Sequence, residues 1–257
     1  MKKIFYYEAL TDAELMAMDK ESAMVILPIS LLEAHGPHLP LGTDFLMAGK
    51  LAEALAQRIQ QEDKIAKQVI ILPAVPLGAG GILRMGTLNH AQTLVEQTIA
   101  EFGERLADHG FEKGVIISGH AGQGHLSAMA EAADVLRETG IFNFLPLTSA
   151  LFKPQGMEKM KDALKRQFKE KGQEALPLYD GHAGCWETSL ALLFFPELVH
   201  ETYKDLPHSE SAEENGYRGD PSFANVELGR KLKDFLLNIA MEVMTEHFGK
   251  AWERKAR

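Results

Sequence analysis

The sequence predicts an α/β fold in which helices pack against a single sheet. Short apolar runs alternate along the chain with longer segments of helical periodicity, an order typical of parallel strands joined by crossover helices. The 257 residues suffice for one large domain with a full core, and no linker or low-complexity tract divides them. We therefore predict a single domain over residues 1–257.

The strands and helices of this domain can be assigned from the periodicity of apolar residues and from residues that begin or end helices. Four apolar runs suit buried strands, at residues 24–29, 69–72, 115–118 and 142–148. Helical patterns occupy residues 44–61, 91–109, 121–139, 184–195 and 226–250. Thr11 and Glu14 have the spacing of a capping box at the start of a short helix. Residues 152–175 form a lysine-rich insertion, for which we predict a surface helix.

Composition narrows the classes of partner. The net charge is −9 and no basic block occurs, which argues against nucleic acid as the main partner. No stretch approaches the roughly 20 apolar residues of a membrane span, and the amino terminus lacks the apolar run of a secretory signal. Cys185 is the single cysteine, so no internal disulfide forms. We predict a cytoplasmic protein that acts on a small molecule.

Candidate metal ligands follow the predicted strands. Glu33 and His35 lie in the loop after the first strand, and Asp44 ends that loop. Taken alone, these three residues favour a structural interpretation, in which Glu33 and His35 face water in the loop and Asp44 caps its helix. Two further clusters favour a metal site instead, because His120 follows the third strand and Glu187 follows the fourth strand and its insertion. The carboxyl ends of parallel strands can bring such segments to one site.

The five side chains form a coherent ligand set. Two histidines and three carboxylates suit a borderline or hard divalent ion such as zinc or manganese, and no thiolate is implied. Two ions about 3.5–4 Å apart need a bridging group, and a carboxylate has two oxygens for that purpose. Asp44 is the natural candidate for the bridge.

Three motifs in this order resemble the creatininase family of amidohydrolases. The family shows Glu-x-His-Gly-Pro-His-Leu-Pro-x-x-Thr-Asp, which stands here at residues 33–44, followed by Gly-His-x-Gly at 119–122 and His-x-Gly-x-x-Glu-Thr-Ser at 182–189. The resemblance implies a three-layer α/β/α sandwich with a mostly parallel sheet. It also implies two divalent ions, zinc, manganese or iron, and a homo-oligomer, commonly a hexamer.

The resemblance further assigns roles to individual residues. Glu33 and His120 would bind one ion, His35 and Glu187 the other, and Asp44 both. His182 would be the catalytic proton shuttle, for which imidazole suits neutral pH. The alternative for His182 is that it only orients Glu187. The implied reaction is hydrolysis of a non-peptide C–N bond, in a cyclic amide or a formamide, by a metal-bridging hydroxide.

Creatinine itself is not the expected substrate. Members that hydrolyse creatinine carry Tyr-Glu after the histidine of Gly-His, where this chain has Ala121 and Gly122, and a tryptophan where it has Leu178. Loss of these groups removes aromatic stacking and one carboxylate. Arg84, in a glycine-rich loop, is either a solvated surface residue or a contact for an anionic group of a larger substrate.

The sequence fits two other function classes less well. A nucleotide-binding oxidoreductase would need a Gly-x-Gly-x-x-Gly fingerprint, but the glycine-rich turns at residues 78–81 and 119–124 lack that order. A catalytically inactive small-molecule-binding protein on the same fold would be favoured if a ligand were missing, and all five are present.

Overall fold

A five-stranded parallel sheet forms the centre of the protein. The computed structural model describes residues 4–62, 65–158 and 180–255. The strands are β1 (Ile4–Tyr6), β2 (Ala23–Pro28), β3 (Gln68–Ile71), β4 (Lys113–Ile117) and β5 (Asn143–Pro146), and their spatial order is β1-β3-β2-β4-β5. All pairs are parallel; Ile26 of β2, for example, aligns with Ile71 of β3 and Val115 of β4.

Helices cover both faces of this sheet. They are α1 (Asp12–Met16), α2 (Thr43–Glu62), α3 (Gln92–Asp108), α4 (Gln123–Glu138), α5 (Leu147–Phe152), α6 (Cys185–Phe194), α7 (Ala212–Asn215) and α8 (Val226–Lys255). Met24 and Ile26 face the core with α2, α6 and α8, whereas the alternate residues Val25 and Leu27 face the core with α3 and α4. Because successive side chains of a strand point to opposite faces, both layers are apolar and β2 is buried throughout. The predicted three-layer α/β/α sandwich is confirmed.

The predicted strand at residues 142–148 is wrong in its second half. β5 ends at Pro146, and α5 begins at Leu147. The run from Phe142 is apolar without a break, so its periodicity does not separate a strand from a buried helix. In the structure, Thr148 accepts a hydrogen bond from the Ser118 N–H (3.0 Å), which ties α5 to the end of β4.

The other predicted elements agree with the structure within a few residues. The capping box of α1 is present, with reciprocal bonds between Thr11 and Glu14. β1, a three-residue edge strand, was not predicted from the sequence. Most of the predicted surface helix at 152–175 lies outside the described residues. Among the helices described, none combines the length and the apolar character that crossing a bilayer requires.

Candidate metal centre

The loop after β2 carries three of the predicted ligands to the carboxyl edge of the sheet. The Glu33 N–H donates to the Leu41 carbonyl (2.9 Å), which closes the loop on itself. Gly36 occupies the left-handed region (φ +68°) that favours glycine. Asp44 lies in the first turn of α2, and Glu33, His35 and Asp44 are all buried.

His120 and Glu187 reach the same place from other segments. His120 follows β4, where its N–H donates to the Ser118 hydroxyl (3.0 Å). A Cβ at Gly119 would lie 2.3 Å from the Asp44 carbonyl oxygen, so only glycine permits this close approach. Glu187 lies in the first turn of α6, at the end of the sheet that carries the loop. The five predicted ligands therefore come together.

The distances divide this cluster into two halves that share Asp44. On one side, His35 Nε2 lies 3.1 Å from Asp44 Oδ1 and 3.7 Å from Glu187 Oε2. On the other side, His120 Nδ1 lies 3.3 Å from Asp44 Oδ2 and 3.0 Å from Glu33 Oε2. Each oxygen of Asp44 thus faces a different histidine, and Glu33 and Glu187 belong to opposite halves.

The electrostatics of the cluster favour positive charge. Burial lowers the pKa of His35, but the charges of Asp44 and Glu187 outweigh burial and raise this pKa to about 9. Burial likewise opposes protonation of His120, yet attraction to Asp44 and Glu33 raises its pKa to about 10. Asp44 is desolvated by burial as well, and the two histidines nevertheless hold its pKa well below the ordinary value. Each carboxylate thus stabilises positive charge beside it.

The residues also fit divalent ions by their unsatisfied atoms. Glu33 Oε2 and Asp44 Oδ2 are buried and face His120, and no described residue gives either oxygen a well-aligned hydrogen bond. Buried polar atoms are normally paired or coordinate a metal. The Glu33 carbonyl accepts a hydrogen bond from His35 Nδ1 (3.0 Å), so that once Nε2 loses its proton its lone pair faces the cluster. Backbone acceptors fix metal-binding histidines in this way in other proteins.

His182 lies at the edge of the cluster and is partly exposed. Its Nε2 donates to the Ala34 carbonyl (2.7 Å), and its ring centroid is 4.2 Å from that of His35. A carbonyl can only accept, so the neutral ring carries its proton on Nε2 and has Nδ1 as its basic nitrogen. One His182 nitrogen also lies within 4.8 Å of ligand atoms of Glu33 and His35.

Sequence reasoning missed the residues that hold α6. The Asp180 carboxylate accepts from the N–H groups of Cys185 (2.6 Å) and Trp186 (3.3 Å) at the start of that helix. Ala183 has φ +51°, and its N–H donates to Glu187 Oε2 (2.6 Å). An aspartate directly before glycine, as at 180–181, is a turn and cap signal that could have indicated this role.

Two further side chains have structural contacts. His38 is buried, and its Nε2 donates to the Ala183 carbonyl (3.1 Å), so it links the ligand loop to the turn before α6 as a stabilising residue. Arg84 is exposed and donates to the carbonyls of Glu213 (2.7 Å) and Glu214 (2.6 Å) at the end of α7. This engagement of the guanidinium gives no support to a role in binding an anionic substrate group.

Comparisons with known proteins agree with this site. A family model for creatininase, described as creatinine amidohydrolase, matches residues 8–244. The chain belongs to the creatininase family. The resemblance drawn from the motifs is therefore confirmed, and membership of this family argues against the nucleotide-binding oxidoreductase.

Relatives in this family differ in their described activities. A mycofactocin precursor peptide peptidase of Mycobacterium tuberculosis is 32% identical over 123 residues, which is 46% of this chain and 48% of that protein. The matched part thus spans about half the length of this relative. The creatinine amidohydrolase of Pseudomonas putida is 26% identical over 188 residues, which is 68% of this chain and 66% of that protein.

Solved structures support the fold over nearly the whole chain. A structure described as creatininase Mn superposes with a TM-score of 0.71 at 21% identity, covering 96% of this chain and 99% of that one. A creatininase variant of Zn-Zn type gives a TM-score of 0.68, also at 21% identity and covering 96% and 99% of the two chains. At this identity the likeness concerns the fold alone.

Proposed function

We propose that this protein is a di-metal amidohydrolase that cleaves a C–N bond of an amide. The observation that carries the proposal is the position of Asp44, whose two oxygens lie 3.1 and 3.3 Å from nitrogens of two different histidines. A bridging carboxylate needs this arrangement. Glu33 and His120 would hold one ion, and His35 and Glu187 the other.

The donor set favours zinc, manganese or iron. Imidazole and carboxylate suit these borderline and hard divalent ions, and the related structures described above are manganese and zinc forms. When bound, the ions would supply Lewis-acid charge that polarises the substrate carbonyl and lowers the pKa of a water. The carboxylates would hold that charge in place, because Glu33 and Asp44 are buried and backbone N–H groups fix Glu33 and Glu187.

His182 is the proposed catalytic proton carrier. Its partly exposed ring lies beside His35, and Nε2 is engaged with Ala34. Nδ1 is therefore the atom that would take a proton and later give it to the leaving nitrogen. Such transfers contribute typically 10²–10⁴-fold to the rate. The alternative, in which His182 only orients Glu187, predicts a smaller loss on its removal.

A non-peptide amide other than creatinine remains our first choice of substrate class. Gly122 has no side chain to stand in for the carboxylate of creatinine-hydrolysing members, and Ala121 has none of the aromatic surface. We expect kcat/KM for creatinine below about 10⁴ M⁻¹s⁻¹. Leu178 lies outside the described residues. Peptide hydrolysis is the second candidate, favoured by the mycobacterial relative described as a peptidase.

A substrate screen with metal counting tests these proposals. The protein loaded with zinc or manganese would be assayed on cyclic amides, formamides, short peptides and creatinine. About two ions per chain together with turnover of one amide class supports a di-metal hydrolase. Two ions without turnover of any class would favour the inactive binding protein. A cytoplasmic homo-oligomer remains a prediction from the sequence.

A further inference from the structure

A large apolar cavity adjoins the candidate metal centre. It has a volume of about 320 Å³ and lies between α2, α5, α6 and α8. Asp44 and Glu187 form part of its wall, so it borders the cluster of candidate ligands. Protein interiors rarely contain voids larger than a water, whose share of liquid volume is about 30 Å³. The size falls instead at the lower end of ligand sites, about 300–1,000 Å³.

The wall of this cavity is almost entirely apolar. Among the described residues that line it, Asp44 and Glu187 are the only charged ones. The remainder of the wall is formed largely by aliphatic and aromatic groups, including Met47, Leu151, Trp186, Leu190 and Leu237. A charged or strongly polar group would lose its hydration there without gaining partners. An aliphatic or aromatic group would gain the free energy of leaving water.

We propose that this cavity binds an apolar side group of the substrate. This inference rests on the proposed function, because it places the scissile amide at the carboxylates and the apolar group beyond them. The substrate class is thereby an amide with an aliphatic or aromatic substituent of several carbons. Creatinine, a small polar ring, would leave most of the cavity empty.

The first experiment measures substrate preference in two series. Primary amides from acetamide to hexanamide vary the acyl side, and N-alkylformamides from N-methyl to N-hexyl vary the amine side. Burial of each methylene at about 0.8 kcal/mol corresponds to about a fourfold gain in kcat/KM. We expect such a rise in at least one series, which amounts to about 250-fold over the four methylenes of the amide series or about 1,000-fold over the five of the formamide series. A flat response in both series would overturn the proposal.

A second experiment tests the cavity without catalysis. Butylbenzene would be titrated into the metal-free protein by calorimetry. Ala240→Phe fills the cavity from α8 and should weaken this binding at least tenfold. Thr245→Phe introduces the same ring on the exposed side of that helix and should leave binding unchanged. Absence of binding to the wild-type protein would refute the proposal.

An enlarging variant covers the case in which Ala240→Phe does not fold. Leu237→Ala removes three carbons from the cavity wall and should move the preferred chain to a longer one. An unchanged preference in this variant would contradict the assigned cavity. The experiments distinguish failure of the proposed function from failure of the cavity proposal. Butylbenzene binding without turnover of any amide would refute the proposed hydrolase activity alone. Turnover that ignores chain length refutes the cavity proposal alone.

Discussion

Removal of Asp44 should cost the protein both metal ions, whereas removal of Glu187 should cost mainly one. Asp44 approaches both histidines, at 3.1 and 3.3 Å. Of these two histidines, Glu187 approaches His35, at 3.7 Å. Loss of a residue that merely supports a ligand lowers metal affinity 10–100-fold. We expect loss of a direct ligand to exceed about 100-fold, or about 2.7 kcal/mol for each ion it binds.

Equilibrium dialysis followed by elemental analysis measures this difference. At a free zinc concentration that saturates the wild-type protein with about two ions, Asp44→Ala should retain almost none and Glu187→Ala about one. Asp44→Asn separates the effect of charge from that of shape, since it keeps the shape of the side chain and removes its charge. Glu53→Ala, at a partly exposed carboxylate of α2, should keep both ions. Two ions retained by Asp44→Ala would refute the bridging role.

Three further outcomes follow from the structure. His182→Ala should keep both ions and lose 10²–10⁴-fold in kcat; a loss below tenfold on a substrate with a poor leaving group would make the residue structural. Burial lowers the pKa of His38 from 6.5 to about 4, because the folded protein favours the neutral ring. With respect to His38, the protein is therefore most stable above pH 6.5, and its free energy of unfolding falls as the pH is lowered toward 4. Urea unfolding should therefore show a loss of about 2 kcal/mol between about pH 7 and pH 5 that His38→Gln lacks, and equal losses in both proteins would contradict this. Gly122→Ala should lower zinc affinity at least tenfold, because its Cβ would lie 2.1 Å from His120 Nε2. Gly49→Ala, in α2 with no atom within 4 Å of its Cβ, should leave zinc affinity unchanged, and equal affinity in the two variants would count against this reasoning.

The central strands and the clustering of the five candidate ligands were both predictable from the sequence. Strand runs such as that of β2 are apolar throughout because helices cover both faces, and this pattern is local in the sequence. Glu33, His120 and Glu187 each follow a strand or open a helix at the same edge, so parallel topology alone brings them together. Spacing within one segment would not have sufficed, since Glu33 and His35 are equally compatible with a solvated loop.

The cavity and the supports of the site were not predictable in this way. Leu190 and Leu237 belong to ordinary apolar helix stripes, and nothing local indicates that their side chains leave a space between them. Such a space depends on how α2, α5, α6 and α8 pack. Asp180 likewise acts through backbone groups of residues that follow it, which only the folded turn brings within reach. The change from strand to helix at Leu147 also depends on tertiary contacts.

Gly122 lies between the candidate metal centre and the loop that contains Gly80. Besides the His120 ring, a Cβ at this position would meet the Gly80 carbonyl oxygen at 2.6 Å. The same loop continues to Ile82, whose N–H donates to Glu33 Oε1 (2.6 Å). A carboxylate at position 122 would therefore displace either the His120 ring or a loop that holds another ligand. The absence of that carboxylate is thus coupled to the course of the loop, and introducing it would require changes both at position 122 and in the loop.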